Sequence, residues 1–138
     1  MATKIFVNLP VRDLARSVEF FTRVGYTFDE RFTDENATCM VIGEDIYAML
    51  LVEPFFRTFT RKEIADTSTT TEVIVALSAD SRGQVDEIVD RAFAAGATPA
   101  SETNDQGFMY GRSYQDLDGH IWEVMWMDPA TVRDADAA

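Results

Sequence analysis

The chain carries one local pattern twice, and this limits its folds more than any single residue does. Val11-Arg-Asp13 followed by Val18 recurs as Ala79-Asp-Ser81 followed by Val85. Val24-Gly-Tyr-Thr27 recurs as Ala95-Gly-Ala-Thr98. In each copy a strand leads to an Asp or Ser that can cap a helix, the helix is amphipathic, and a glycine ends it. The spacing between copies grows by about four residues from the first anchor to the second, near one helical turn. The second helix is therefore expected to be one turn longer, with the order of elements unchanged.

The first copy reads as a strand Lys4 to Val11 with Pro10 at a sheet edge, then a helix with apolar positions Leu14, Val18, Phe21 and Val24. Strands are expected from Tyr26 to Phe32, Thr38 to Ile42 and Ile46 to Glu53. The second copy reads as a strand Glu72 to Ala79 and a helix capped by Asp80 or Ser81. Strands Ala97 to Thr103, Phe108 to Tyr114 and His120 to Met127 follow. Between the copies a short helix is expected from Thr60 to Asp66, with Glu63 as the reciprocal partner of Thr60. The expected fold class is α+β, a single domain over 1–138 built from two tandem βαβββ modules. Module one takes 4–53, a linker 54–71, module two 72–127 and a frayed or weakly helical tail 128–138.

With 24 acidic against 12 basic residues the formal net charge is −12, which disfavours nucleic acid and anionic membrane as partners. The acidity reads as a solubility feature. Cys39 is the single cysteine, lies in an apolar run without a neighbouring histidine, and reads as buried filler in a cytoplasmic protein. No stretch has the form of a signal peptide or a membrane-spanning helix.

The chemistry concentrates at Tyr114-Gln-Asp-Leu-Asp-Gly-His-Ile-Trp-Glu-Val-Met-Trp126. Asp116 to Gly119 is a tight turn, since Asp can bond nearby backbone N–H groups and Gly accepts a positive φ. In the strand that follows, Ile121, Glu123, Met125 and Met127 face one way, and His120, Trp122, Val124 and Trp126 the other. Glu123 is a lone acid in an apolar row: a ligand-contacting carboxylate or catalytic base, or a structural acid bonded to Asn8, Tyr110 or Arg112. His120 reads as a turn or surface residue, and Glu53 as a solvated strand end. Phe55, Phe56 and Phe59 lie where a segment can cover a cavity mouth, and the loop Asn104 to Gly107 can gate one.

Leu9-Pro-Val-Arg-Asp-Leu14 with Ser17 and Phe20-Phe21, Gly25-Tyr-Thr27, and Asp116-Leu-Asp-Gly-His-Ile-Trp-Glu123 together resemble the vicinal oxygen chelate superfamily. That group includes glyoxalase I, bleomycin-resistance and fosfomycin-resistance proteins and extradiol dioxygenases. The chain also resembles small bacterial predicted lactoylglutathione lyase-like proteins. The resemblance implies that the modules form a curved mixed-sheet cup and that the protein is a homodimer. In metal-dependent members it implies two metal ligands per module, on the first and last strands. Carried over, these positions hold Phe6, Met49 or Leu50, Ile74 and Glu123, of which only Glu123 can ligate a hard cation. A divalent metal is therefore not expected, and the cofactor stays unassigned.

The leading functional expectation is a protein that binds a small organic molecule in an apolar cup without the metal. Phe6, Asn8, Leu50, Ile74, Met109, Tyr110 and Met125 are its candidate ligand contacts, and Glu123 is its candidate catalytic group. The alternative is a lactoylglutathione lyase-like or dioxygenase-like enzyme using Glu123, either metal-free or with nonstandard ligands such as Glu53 or His120. A third reading is an interaction protein whose cup is filled by its own side chains.

Overall fold

The computed structural model describes residues 3–131. The chain divides between Thr70 and Thr71 into two compact units. Each contains a four-stranded mixed sheet with the same order of elements, so the duplicated β-α-β-β-β pattern and the α+β class are both present.

In the first unit β1 (Ile5–Val11), β2 (Thr27–Asp29), β3 (Ala37–Gly43) and β4 (Ile46–Val52) pair in the order β1-β4-β3-β2. β1 runs parallel to β4, and the other pairs are antiparallel. β1 is an edge strand, which is where Pro10 can lack a backbone donor without breaking a ladder. Helix α1 (Leu14–Val24) starts at Asp13, whose carboxylate accepts the Arg16 N–H at 3.2 Å, and stops at Gly25 with φ 125°. Its buried stripe is Ser17, Phe20, Phe21 and Val24, the i, i+3, i+4, i+7 spacing of one face. Of the expected stripe Phe21 and Val24 are buried; Leu14 and Val18 lie at its margin, half-buried. Leu9, Val11, Met40, Ala48 and Leu50 complete this core.

Two expectations in this unit are corrected. The strand foreseen from Tyr26 to Phe32 stops at Asp29, and Glu30–Phe32 is a 3-10 turn. Asp29 accepts the Arg31 N–H at 3.1 Å and pairs with its guanidinium at 2.8 Å, so local side-chain bonds replace the ladder. The helix foreseen from Thr60 to Asp66 lies earlier, as α2 (Glu53–Phe56) continuing into a 3-10 turn at Arg57–Phe59. Pro54 fixes the φ of its first turn, and the Phe55 and Phe59 rings meet edge to face at 5.2 Å. The Thr60 hydroxyl does accept the Lys62 N–H at 3.1 Å, but no helix follows. Glu53 consequently begins α2 rather than ending β4.

In the second unit β5 (Ile74–Ser78), β6 (Asn104–Asp105), β7 (Met109–Gln115) and β8 (Ile121–Met127) pair in the order β5-β8-β7-β6, with β5 parallel to β8. Helix α3 (Arg82–Ala94) is capped by Ser81, whose hydroxyl accepts the Gln84 N–H at 3.0 Å. It has 13 residues against 11 in α1, so the excess is about half a turn rather than a full one. The strand foreseen from Ala97 to Thr103 is reduced to a single bridge, Thr98 with Gln115. Pro99 has no N–H to donate, and its carbonyl is taken by the Gln115 side chain at 2.8 Å. Pairing resumes at β6, inside the stretch expected to be a loop. Residues 129–131 form a helical turn, and the rest of the foreseen tail, 132–138, lies outside the described residues.

Polar ties fasten α3 across the sheet. The Tyr110 hydroxyl donates to Asp86 Oδ1 at 2.6 Å, and the Arg112 guanidinium reaches Asp86 at 2.8 Å and Asp90 at 3.0 Å. Arg82 bonds Asp105 and the Gly107 carbonyl, and its guanidinium lies 4.4 Å from the centre of the Tyr110 ring. At the other end of β7, the Asp116 carboxylate is buried in the turn that leads to β8. Oδ1 accepts the N–H groups of Asp118 (2.9 Å) and His120 (3.1 Å), and Oδ2 accepts Trp122 Nε1–H (2.9 Å). Gly119 takes φ 82°, the left-handed region this turn requires.

Removing the Asp116 carboxylate takes away the hydrogen bonds it makes to these three N–H donors. Asp116→Ala is expected to cost about 3 kcal/mol in urea unfolding at neutral pH, and Asp116→Asn less, since one acceptor oxygen remains. The Tyr110 hydroxyl and then the Arg112 guanidinium hold the Asp86 carboxyl below the usual carboxylate range. Its contribution to stability is fully present above the unfolded carboxylate pKa and is lost as pH falls through the lower folded value. Asp86→Asn is therefore expected to be less stable than the parent at neutral pH. The difference should narrow below about pH 4 in a urea series run at stepped pH.

Candidate functional site

The strand register sorts every residue of the second sheet onto one of two faces. Glu123 on β8 pairs with Ala76 on β5 and with Ser113 on β7. Met125 pairs with Ser78 and Gly111, and Met127 with Met109. These residues share the face away from α3. Tyr110, Arg112, Trp122 and Val124 lie on the α3 face.

A cavity of about 250 Å³ opens on the Glu123 face. It is bordered by Ser101, Glu102, Asn104, Met109, Gly111, Arg112, Ser113, Glu123 and Met125. Glu123 is half-buried, and among the described residues its carboxylate has no hydrogen-bond or ion-pair partner. The two serines are bonded to each other: Ser101 N–H donates to Ser113 Oγ at 3.0 Å, and the hydroxyls meet at 2.8 Å. This link brings the 101–104 segment beside β7, where β6 then pairs.

Three of the residues foreseen for the site therefore come together: Glu123, Met109 and Met125. Tyr110 does not join them, because alternation along β7 turns it to α3, where Asp86 holds its hydroxyl. Arg112 borders the cavity, but its guanidinium is likewise held by Asp86 and Asp90. Neither partners Glu123. Ile74, on the edge strand β5, shares the sheet face of Glu123, pairs with Ile121 and is 52% exposed.

Phe6 and Asn8 lie on the open face of the first sheet. The Phe6 ring stacks on Tyr47 at 4.9 Å, and Asn8 Nδ2 donates to the Phe6 carbonyl at 3.4 Å. Leu50 lies on the opposite face of that sheet, 1% exposed, in the α1 core. Met49 shares the row of Asn8 and is its register partner. The repeat places Asn8 and Met49 where the second unit has Ala76 and Glu123.

His120 is not a surface residue. It is 2% exposed, and its Nδ1 lies 2.5 Å from a Glu72 carboxylate oxygen. Alternation does turn it away from Glu123, as expected. The sequence reading missed Ser101, Glu102, Gly111 and Ser113. Gly111 and Ser113 could have been found by extending the parity of Met109 along β7. Ser101 and Glu102 could not, because they lie in coil placed by the serine pair.

Among the described residues no three His, Cys, Asp or Glu side chains gather into a group able to hold a metal ion. The positions that the resemblance noted above assigns to metal ligands offer a phenyl ring, a thioether, an alkyl chain and one carboxylate, a set that does not fit a hard divalent cation. Cys39 is buried, and burial pushes its thiol pKa up. No helix among the described residues is long and apolar enough to cross a membrane.

Residues 3–43 match the family model of the bleomycin resistance protein-like N-terminal region. No curated protein matches the sequence. Among solved structures, a hypothetical protein from S. aureus is similar at 23% identity and TM-score 0.76, over 91% of this chain and 95% of that one. A glyoxalase/bleomycin resistance protein/dioxygenase family enzyme from Burkholderia phytofirmans is similar at 18% identity and TM-score 0.76, over 91% and 99%. A fosfomycin resistance protein from Mesorhizobium loti is similar at 14% identity and TM-score 0.68, over 96% and 98%. The duplicated βαβββ chain thus has the fold of the glyoxalase/bleomycin-resistance/dioxygenase proteins, the vicinal oxygen chelate superfamily.

Proposed function

We propose that this chain binds a small organic molecule in the cavity of its second unit, against Glu123 and without a divalent metal. One observation carries the reading: a half-buried carboxylate without a partner among the described residues borders a cavity that has both hydroxyl groups and thioethers on its walls. A confined carboxylate needs a compensating group, and a ligand can supply it. The volume, about 250 Å³, falls below the range usual for drug-sized ligands, so the occupant is small or only partly enclosed. Met109 and Met125 offer an adaptable apolar wall, and Ser113 and Asn104 offer polar contacts. The walls are more polar than the apolar cup expected from the sequence.

A cytoplasmic homodimer suits the same reading. β1 and β5 each lie at the edge of their own sheet and expose Ile5, Phe6 and Ile74, which favours pairing with a second copy. The single thiol, Cys39, suits a reducing compartment.

Gly111 provides a steric test. A Cβ there would sit at ordinary contact distance from Met125 Cγ, 3.7 Å, so a side chain can be introduced without displacing backbone. Screening neutral, anionic and cationic small molecules by thermal shift and ligand-observed NMR is expected to give binders that Gly111→Leu abolishes. Metal analysis of untagged protein is expected to find no stoichiometric metal. Binding that survives Gly111→Leu would place the site elsewhere, and a stoichiometric metal lost in Glu123→Gln would overturn the metal-free reading.

A further inference from the structure

We infer that the ligand of this cavity is a small organic cation, an amine or amidine carrying a short apolar group. The inference rests on the binding reading above and adds the charge of the occupant. Two carboxylates, Glu102 and Glu123, border the cavity, and the one cationic side chain among its lining residues is Arg112. That guanidinium is already bound by two other carboxylates, Asp86 at 2.8 Å and Asp90 at 3.0 Å. The cavity therefore presents negative charge with no uncommitted positive charge among its lining residues.

An anionic ligand would enter against both glutamates with no cation to receive it. A neutral ligand would leave Glu123 without a countercharge in a partly enclosed space, where screening by water is reduced. An ammonium or amidinium group answers this directly. Its N–H groups can bond the Glu123 carboxylate and have further acceptors at Ser113 Oγ and the Asn104 side-chain carbonyl. The carbon part then lies along Met109 and Met125, whose polarizable thioethers suit an aliphatic or aromatic group. Gly111 keeps the floor between Glu123 and the thioethers open, since any side chain there would fill it.

The test uses three probes of nearly the same shape: 2-phenylethylamine, 2-phenylethanol and phenylacetate. Calorimetry gives affinity, and the methyl resonances of Met109 and Met125 report the location. The amine is expected to bind at least tenfold more tightly than the alcohol, to shift both methyl signals, and to weaken as salt is raised. Phenylacetate is expected not to bind. Glu123→Gln should cut the affinity for the amine at least tenfold and that for the alcohol by a much smaller factor. Glu102→Gln, at an exposed position, gives a smaller loss of the same sign and keeps the test decisive should Glu123→Gln fail to fold.

Equal affinity for amine and alcohol, or preference for phenylacetate, would overturn the cationic assignment while leaving a ligand site in place. If none of the three binds but a neutral or anionic compound from the wider screen does, the assignment also falls and the site stands. If nothing in the screen moves the methionine methyls, the binding reading fails with it.

Discussion

The Asp116 carboxylate holds the second unit together at the point where its last two strands turn. It is one group serving three donors, two of them backbone N–H groups of the turn and the third the Trp122 indole. Its energetics are opposed: burial pushes its pKa up, while His120 and the three N–H donors pull it down. The arrangement persists because buried N–H donors favour an acceptor, and this carboxylate supplies one to all three. Trp122 is fully buried one residue before Glu123, so the indole that anchors the turn also fixes the strand carrying the acid. The face on which Glu123 lies follows from this anchor and from the two-residue period of a strand.

The same logic explains what could be read from the sequence. The repeat, the helix caps Asp13 and Ser81, the glycine stops and the 116–119 turn are local features. Each rests on the conformational limits of one or two residues, and each is present. The parity of β8 was legible for the same reason. What could not be read is set by side chains distant in sequence. Asp86 captures Tyr110 and Arg112 from 24 and 26 residues away, so two groups foreseen as partners of Glu123 serve α3. The Ser101–Ser113 pair spans 12 residues and turns an expected strand into a cavity wall. His120 lies beside a turn yet is interior, and its ring meets Glu72, 48 residues earlier in the chain.

The two halves of the repeat have also diverged in chemistry while keeping their register. Asn8 with Met49 and Ala76 with Glu123 are the same cross-strand pair in two copies of one unit. Met49 and not Leu50 lies opposite Asn8, because Leu50 faces the α1 core. The backbone accepts a thioether or a carboxylate there without change, so at this position chemistry is independent of fold.

Arg82 links the cavity rim to α3 by a different kind of bond from the one that closes the Asp116 turn. The Arg82–Asp105 pair is solvent-exposed on both sides and joins β6, a strand of only two residues, to the start of the helix. Contacts of this kind contribute little to stability and are screened by salt. Asn104 thus lies in a short, exposed strand held by a solvent-screened pair, whereas the Asp116 turn is buried and held by three hydrogen bonds. β6 can fray without unfolding the rest of its sheet, because only two residues pair it to β7 and the ion pair that holds it lies in solvent.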